Sequence, residues 1–174
     1  MRIPIFLSSP TSLNKTQEHF RQLICNLLEQ VALEPRALGR TDYPTRDPLR
    51  EVCAIAKRCS GAVILGFSQF ETATGVWKKG TPEQKENKGP IAFPTAWNQL
   101  EAGILFALEL PILVFKQTGI SGGIFDNGVT DVFVHNIPES KVTALQKKDL
   151  QSVILKWQAE VRNHYYGEYP SRRD

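Results

Sequence analysis

One acid in this 174-residue chain falls where an acid is costly. Thr95 suits a helix N-cap, and Trp97, Leu100, Ile104, Leu105 and Leu108 follow it at helical spacing. With Trp97 set at zero and a step of about 100° per residue, Leu108, Ile104, Leu100 and Leu105 fall at about 20°, 340°, 300° and 80°. Glu101 falls at about 40° on the same wheel, inside the apolar arc. An unpaired buried carboxylate costs several kcal/mol, so this one is expected to be paired, protonated or turned to a cavity. Two readings follow. Glu101 is a catalytic acid tuned by its surroundings, or it is ion-paired to Arg46, Arg50 or another base and ties helix to sheet.

Other side chains fall near it in the expected layout. Ser8 and Ser9, after the first strand, can donate hydrogen bonds to a polar ligand, or simply build the turn before Pro10. Phe67 and Gln69 follow the third strand, where a flat ring of a ligand would lie; strand-end packing is the plainer role. Trp97 suits both core packing and a stacking face for a base. Asp47 reads more as a helix cap than as a ligand group, with Arg50 one turn on. Asp126, in Gly123-Ile124-Phe125-Asp126-Asn127-Gly128, binds ligand or sets a turn. No Gly-x-Gly-x-x-Gly or P-loop follows the first strand, which disfavours dinucleotide redox chemistry and NTP hydrolysis.

The elements that hold these residues alternate. Ile3 to Leu7 reads as a buried strand, and Leu13 to Val31 as an amphipathic helix. Arg36 to Leu38 suits a brief second strand. Asp47-Pro48 opens a helix whose inward face is Leu49, Val52, Cys53, Ala56 and Cys59. Ala62 to Leu65 is a fully apolar strand. Residues 70–93 fit no period and read as a long insertion, a functional lid or a mobile loop. The Thr95 helix, a strand over Ile112 to Phe115, a glycine-rich loop and a last strand over Val132 to Val134 follow. A C-terminal helix then turns Leu150, Val153, Ile154, Trp157 and Val161 inward. The expectation is a single α/β domain over residues 1–163 with a loosely held tail, 164–174. It is doubly wound and flavodoxin-like, a five-stranded parallel sheet of order 2-1-3-4-5 with helices on both faces. Ligands of such sheets lie outside the carboxyl ends of the strands, at the switch point between strands one and three.

Bulk properties narrow the partners. A net charge of +3 with no dense Lys/Arg block gives no nucleic-acid groove and no polybasic membrane surface. Lys78, Lys79, Lys85 and Lys88 mix with Glu71, Glu83 and Glu86, as on a solvated face. No apolar run is long enough for a signal-peptide core or a membrane span. Three cysteines, Cys25, Cys53 and Cys59, with no C-x-x-C pair, read as buried thiols in a reducing, cytoplasmic compartment. No metal site is expected, since His19, His135 and His164 lie far from the cysteines and from one another.

Trp97-Asn98-Gln99-Leu100-Glu101 resembles the Trp-x-x-x-Glu of enzymatic TIR domains, and Ile5-Phe6-Leu7-Ser8-Ser9 resembles their opening strand. The chain is also similar to nucleoside 2-deoxyribosyltransferases, and the likeness runs from about Arg2 to Pro138. The TIR resemblance implies that Glu101 cleaves the nicotinamide–ribose bond, with NAD or a related nucleotide as substrate and no resident cofactor. The transferase resemblance makes Glu101 the nucleophile at the anomeric carbon of a nucleoside. Both implicate a carboxylate against an oxocarbenium-like sugar. The TIR likeness further implies bacterial defence or signalling, and assembly of a homo-oligomer over the active site. A binding or signalling module without catalysis, gripping ribose hydroxyls in the same crevice, is the alternative of a different class. The loop from Gly39 to Pro48 lacks the pattern of signalling TIR domains, and the insertion is longer than either family implies.

Overall fold

Strand parity determines which face of the sheet each side chain meets. The computed structural model describes residues 2–42, 47–130 and 132–168. Its elements are β1 (Ile3–Ser8), α1 (Lys15–Gln30), β2 (Leu33–Arg36), α2 (Pro48–Ala56), β3 (Ala62–Gly66), β4 (Phe70–Thr72), β5 (Gly75–Trp77), β6 (Lys85–Asn87), β7 (Ile91–Phe93), α3 (Ala96–Ala107), β8 (Ile112–Lys116), a 3₁₀ turn (Gly123–Phe125), β9 (Val134–Asn136) and α4 (Ala144–Glu168). The main sheet is parallel, in the order β2-β1-β3-β8-β9. Counting its five strands in chain order gives the expected 2-1-3-4-5.

Successive side chains of a strand point to opposite faces. Ile5, Leu7, Val63, Leu65, Leu113 and Phe115 pack with α1 and α4 on one face. Phe6, Ala62, Ile64, Ile112 and Val114 pack with α2 and α3 on the other. Covered on both sides, β3 is apolar throughout, as its sequence shows. Ser8 has the parity of Phe6 and sits opposite Ile64, so its hydroxyl is delivered to the α3 face. Gly66 has that parity too. A Cβ there would lie 2.4 Å from Phe125 Cε1, so only glycine lets the Phe125 ring close on the strand.

Several boundaries differ from expectation. β2 covers Leu33–Arg36, earlier than Arg36 to Leu38; Pro35 obscures its signal yet is tolerated because β2 is an edge strand. β9 starts at Val134, two residues late. Residues 70–93 are not structureless. They form two antiparallel ribbons, one nested within the other along the chain, β4 with β7 and β5 with β6. Each strand is three residues, too short for an alternation to register, and β6 is polar on both sides. Phe93 packs against Phe70 and Trp77, with ring centroids 6.4 and 5.9 Å apart.

The C-terminal helix runs past residue 163 to Glu168 and buries Tyr165, so that part of the expected loose tail is ordered by packing; residues 169–174 lie outside the described residues. Asp47 precedes Pro48 at the start of α2 but makes no side-chain capping bond. Cys25 and Cys59 are buried free thiols, and burial pushes Cys59 up to about 12; Cys53 is half-buried. Among the described residues no helix is long and apolar enough to cross a membrane.

Candidate active site

α3 starts at the carboxyl ends of β1 and β3 because Thr95 caps it there, its Oγ1 accepting from Asn98 N at 3.2 Å. One turn into the helix, Asn98 and Glu101 share a face. Both are buried, at 1% and 9% exposure, and both line a crevice of about 430 Å3. The other walls are Ser9 to Ser12 after β1, Leu38 and Gly39 after β2, Pro48 at the start of α2, Gln69 after β3, and Thr95 with Trp97. Ligand pockets commonly fall between about 300 and 1,000 Å3, and this one lies where doubly wound sheets bind their ligands.

Glu101 is the crevice's single titratable lining residue among the described residues. Burial pushes its carboxyl up to about 7; the Ser8 hydroxyl, hydrogen-bonding to it, acts in the opposite direction. No basic side chain among the described residues forms an ion pair with it, and Arg50 is exposed on α2. Arg46, the other candidate partner, lies outside the described residues. The arrangement is thus a carboxyl group removed from water on most sides and open to a cavity on one. Such a group can donate a proton, take one, or attack an electron-poor carbon near neutral pH.

The expected site residues separate into two groups. Ser9, Gln69 and Trp97 line the crevice with Glu101, and Ser8 lies directly beneath, 1% exposed. Trp97 is 42% exposed, its surface available to a ligand rather than committed to the core. Phe67 and Asp126 do not join them. Phe67 has the opposite parity from Ser8 and is fully buried against Phe20 on the α1 face, ring centroids 6.4 Å apart. Asp126 Oδ1 accepts from Gly122 N at 2.8 Å, a staple across the glycine-rich turn, which is in turn held to α3 by Gln99.

Asn98 was not among the expected residues. On the observed helix the buried positions are Asn98, Glu101, Ala102 and Leu105. They fall at about 100°, 40°, 140° and 80° on the wheel used above, so the buried arc centres near Leu105, not Trp97. Glu101 is at the rim of that arc, which is why it reaches the cavity. A polar residue at about 100° on a helix with this much apolar surface was the available signal.

A second groove, of about 1130 Å3, flanks the amino end of β8 and the β9 edge. Its acids, Glu109 and Glu160, are exposed to water, so size alone does not make it the reactive site.

Sheet order and crevice position define a flavodoxin-like doubly wound domain. Three solved structures share that layout. The CMP N-glycosidase BcmB of Clostridium botulinum is 14% identical, with a TM-score of 0.50 over 88% of this chain and 98% of that one. The flavodiiron core of Flv1 from Synechocystis is 13% identical, with a TM-score of 0.52 over 94% of this chain and 36% of that one. The diflavin flavoprotein A3 of Nostoc is 13% identical, with a TM-score of 0.52 over 97% of each chain. At these identities the likeness is one of fold. No protein-family model and no curated protein sequence matches the chain.

Proposed function

We propose that the chain cleaves the N-glycosidic bond of a nucleotide or nucleoside, with Glu101 as the catalytic residue at the anomeric carbon. The observation that carries this is the inward Glu101 carboxyl, raised to about 7, facing an open crevice with no cation paired to it among the described residues. A CMP N-glycosidase of the same fold supports it from outside.

In this reaction the bond from C1′ to the base nitrogen breaks, and its electron pair leaves with the base. The ionised Glu101 carboxylate stabilises the oxocarbenium character at C1′, or bonds to that carbon and leaves again with the electron pair of that bond when water attacks; water delivers hydroxide to C1′ and its proton goes to the carboxylate or to solvent. A nicotinamide of NAD departs neutral because it starts as a cation. A cytosine leaves with an extra negative charge and must take its proton from water, because the ionised carboxylate has none to give. Trp97 offers a face on which a flat base can stack, and the hydroxyls of Ser9, Thr11, Ser12 and Thr95 suit a sugar. The likeness of the Trp97–Glu101 segment to enzymatic TIR domains makes NAD the first substrate to try, with CMP next.

The test is release of free base, followed by chromatography, from NAD, CMP and 2′-deoxynucleosides, with Glu101→Gln beside the native chain. Product from the native chain alone is expected. Saturable binding by calorimetry with no product from any of these would replace the enzyme by a binding module. Product that appears only when a second base is supplied would make the reaction deoxyribosyl transfer.

A further inference from the structure

The buried amide of Asn98 is held in one orientation by three partners. Its Oδ1 accepts from Thr95 Oγ1 at 2.9 Å, and its Nδ2 donates to Ser8 Oγ at 2.8 Å, with the Leu65 carbonyl also facing Nδ2 at 3.4 Å. A carbonyl can only accept, so the NH2 end must face Leu65 and Ser8. Thr95 Oγ1 already accepts from Asn98 N, which leaves its proton for Asn98 Oδ1. The orientation is therefore set twice over.

That orientation constrains the next group in the chain of bonds. A serine hydroxyl carries one proton and two lone pairs. Ser8 is too buried for water to satisfy it, and its oxygen receives the Asn98 proton. With one of its two lone pairs so occupied, its proton is the group left to turn to the Glu101 carboxyl, which it stabilises in the ionised form. A hydroxyl that donates to a carboxyl favours the ionised form, whereas one that accepts from it favours the neutral acid. We infer that Asn98 is a positioning residue, filling one lone pair of Ser8 and turning its proton toward Glu101, so that Glu101 meets the sugar as a carboxylate. This rests on the glycosidic function proposed above for its catalytic meaning, but not for its geometry.

Competing influences on Glu101 are few. The crevice lining holds no second titratable side chain among the described residues. From β1 the polar group that acts on it is Ser8, and β3 contributes the Leu65 carbonyl to the Asn98 network. The first turn of α2, whose Pro48 lines the crevice, carries Asp47, Arg50 and Glu51, none of which shifts Glu101.

The experiment is a carboxyl-carbon NMR titration of Glu101 in the full chain and in Asn98→Leu, Ser8→Ala and the double variant. Each single variant is expected to move the Glu101 midpoint upward by about half a unit to one unit, and the double variant no further than Ser8→Ala alone. The acidic limb of base release should move by the same amount, with KM little changed. An unmoved midpoint in Asn98→Leu, or shifts that add in the double variant, overturns the inference, because Asn98 would then not act through Ser8. Should Asn98→Leu not fold, Asn98→Ser removes the same donor to Ser8 with less disruption and is judged by the same criteria. The NMR midpoints decide this point whether or not the native chain releases base; a shifted midpoint with no product supports the Asn98 relay and ends the glycosidic function alone.

Discussion

Asn98 Nδ2 meets Ser8 Oγ at 2.8 Å across the seam between α3 and the carboxyl end of β1, joining residues ninety apart in the chain. The bond links the element that carries the acid to the strand that shields it. Strand parity places Ser8 on that side, and the Thr95 cap sets where α3 begins. Neither the acid nor its partners lie on a free loop, so the geometry of Glu101 is inherited from the sheet.

Glu101→Gln keeps the volume and removes the charge. Base release is expected to fall by a factor on the order of 10² to 10⁴. Circular dichroism should be unchanged. Activity within a few-fold of native would remove Glu101 from the reaction.

With its midpoint near 7, the carboxyl is mostly neutral at pH 6 and mostly ionised at pH 8. If the carboxylate is the reacting form, kcat/KM should climb through that interval and level off above it. A profile that falls across the same interval would assign Glu101 the part of proton donor instead.

The same shift has a consequence for stability. A folded-state midpoint raised above the ordinary 4.5 means that the contribution of Glu101 to stability is fully present below about 4.5 and is lost as pH rises through about 7. Glu101→Gln escapes that loss. At pH 8 it should be more stable than the native chain by on the order of 1–3 kcal/mol, with the difference shrinking to near zero at pH 4. Urea unfolding at the two pH values measures this. A native chain at least as stable as the variant at pH 8 would mean that Glu101 has a cationic partner.

Trp97→Ala tests the stacking face. Because the residue is 42% exposed and outside the core clusters, stability should change less than for a core aromatic. Loss of a base–aromatic contact costs about 1–3 kcal/mol, so KM should rise on the order of tenfold or more. Unchanged KM would place the base elsewhere in the crevice.

Two glycines make opposite predictions. Gly66→Ala drives a methyl into the Phe125 ring and should destabilise by about 1–3 kcal/mol. Gly103, inside α3 with open space around its Cβ direction, should gain about 0.5–1 kcal/mol on substitution by alanine. Thermal unfolding of the pair distinguishes close approach from mere helix propensity.

The long-range order of the sheet was legible because β1, β3 and β8 are short apolar runs and the connections between them carry helical spacing. Glu101 was legible as an acid among apolar neighbours. Its true place on the helix was not, because Trp97 and Leu100 look like core residues and are in fact 42% and 44% exposed. Phe67 looked like a strand-end ligand, and only the parity of β3, readable once Ser8 is placed, sends it to the opposite face. Asn98 was missed because an amide has no meaning on a helix until its partners from other elements are known. The two ribbons between β3 and α3 were hidden by their brevity and by lysines and glutamates that favour no one face.

The segment carrying those ribbons departs from the domain and returns to it at adjacent backbone atoms, Gln69 N and Phe93 O being 2.9 Å apart. Its length therefore enters the energetics of the domain only weakly, since closing a longer excursion between fixed ends grows as a logarithm of length. The anchorage is also next to Gln69 and Thr95, two walls of the crevice. Change in this outer piece can thus alter what is admitted, while the acid and the strands behind it stay as they are.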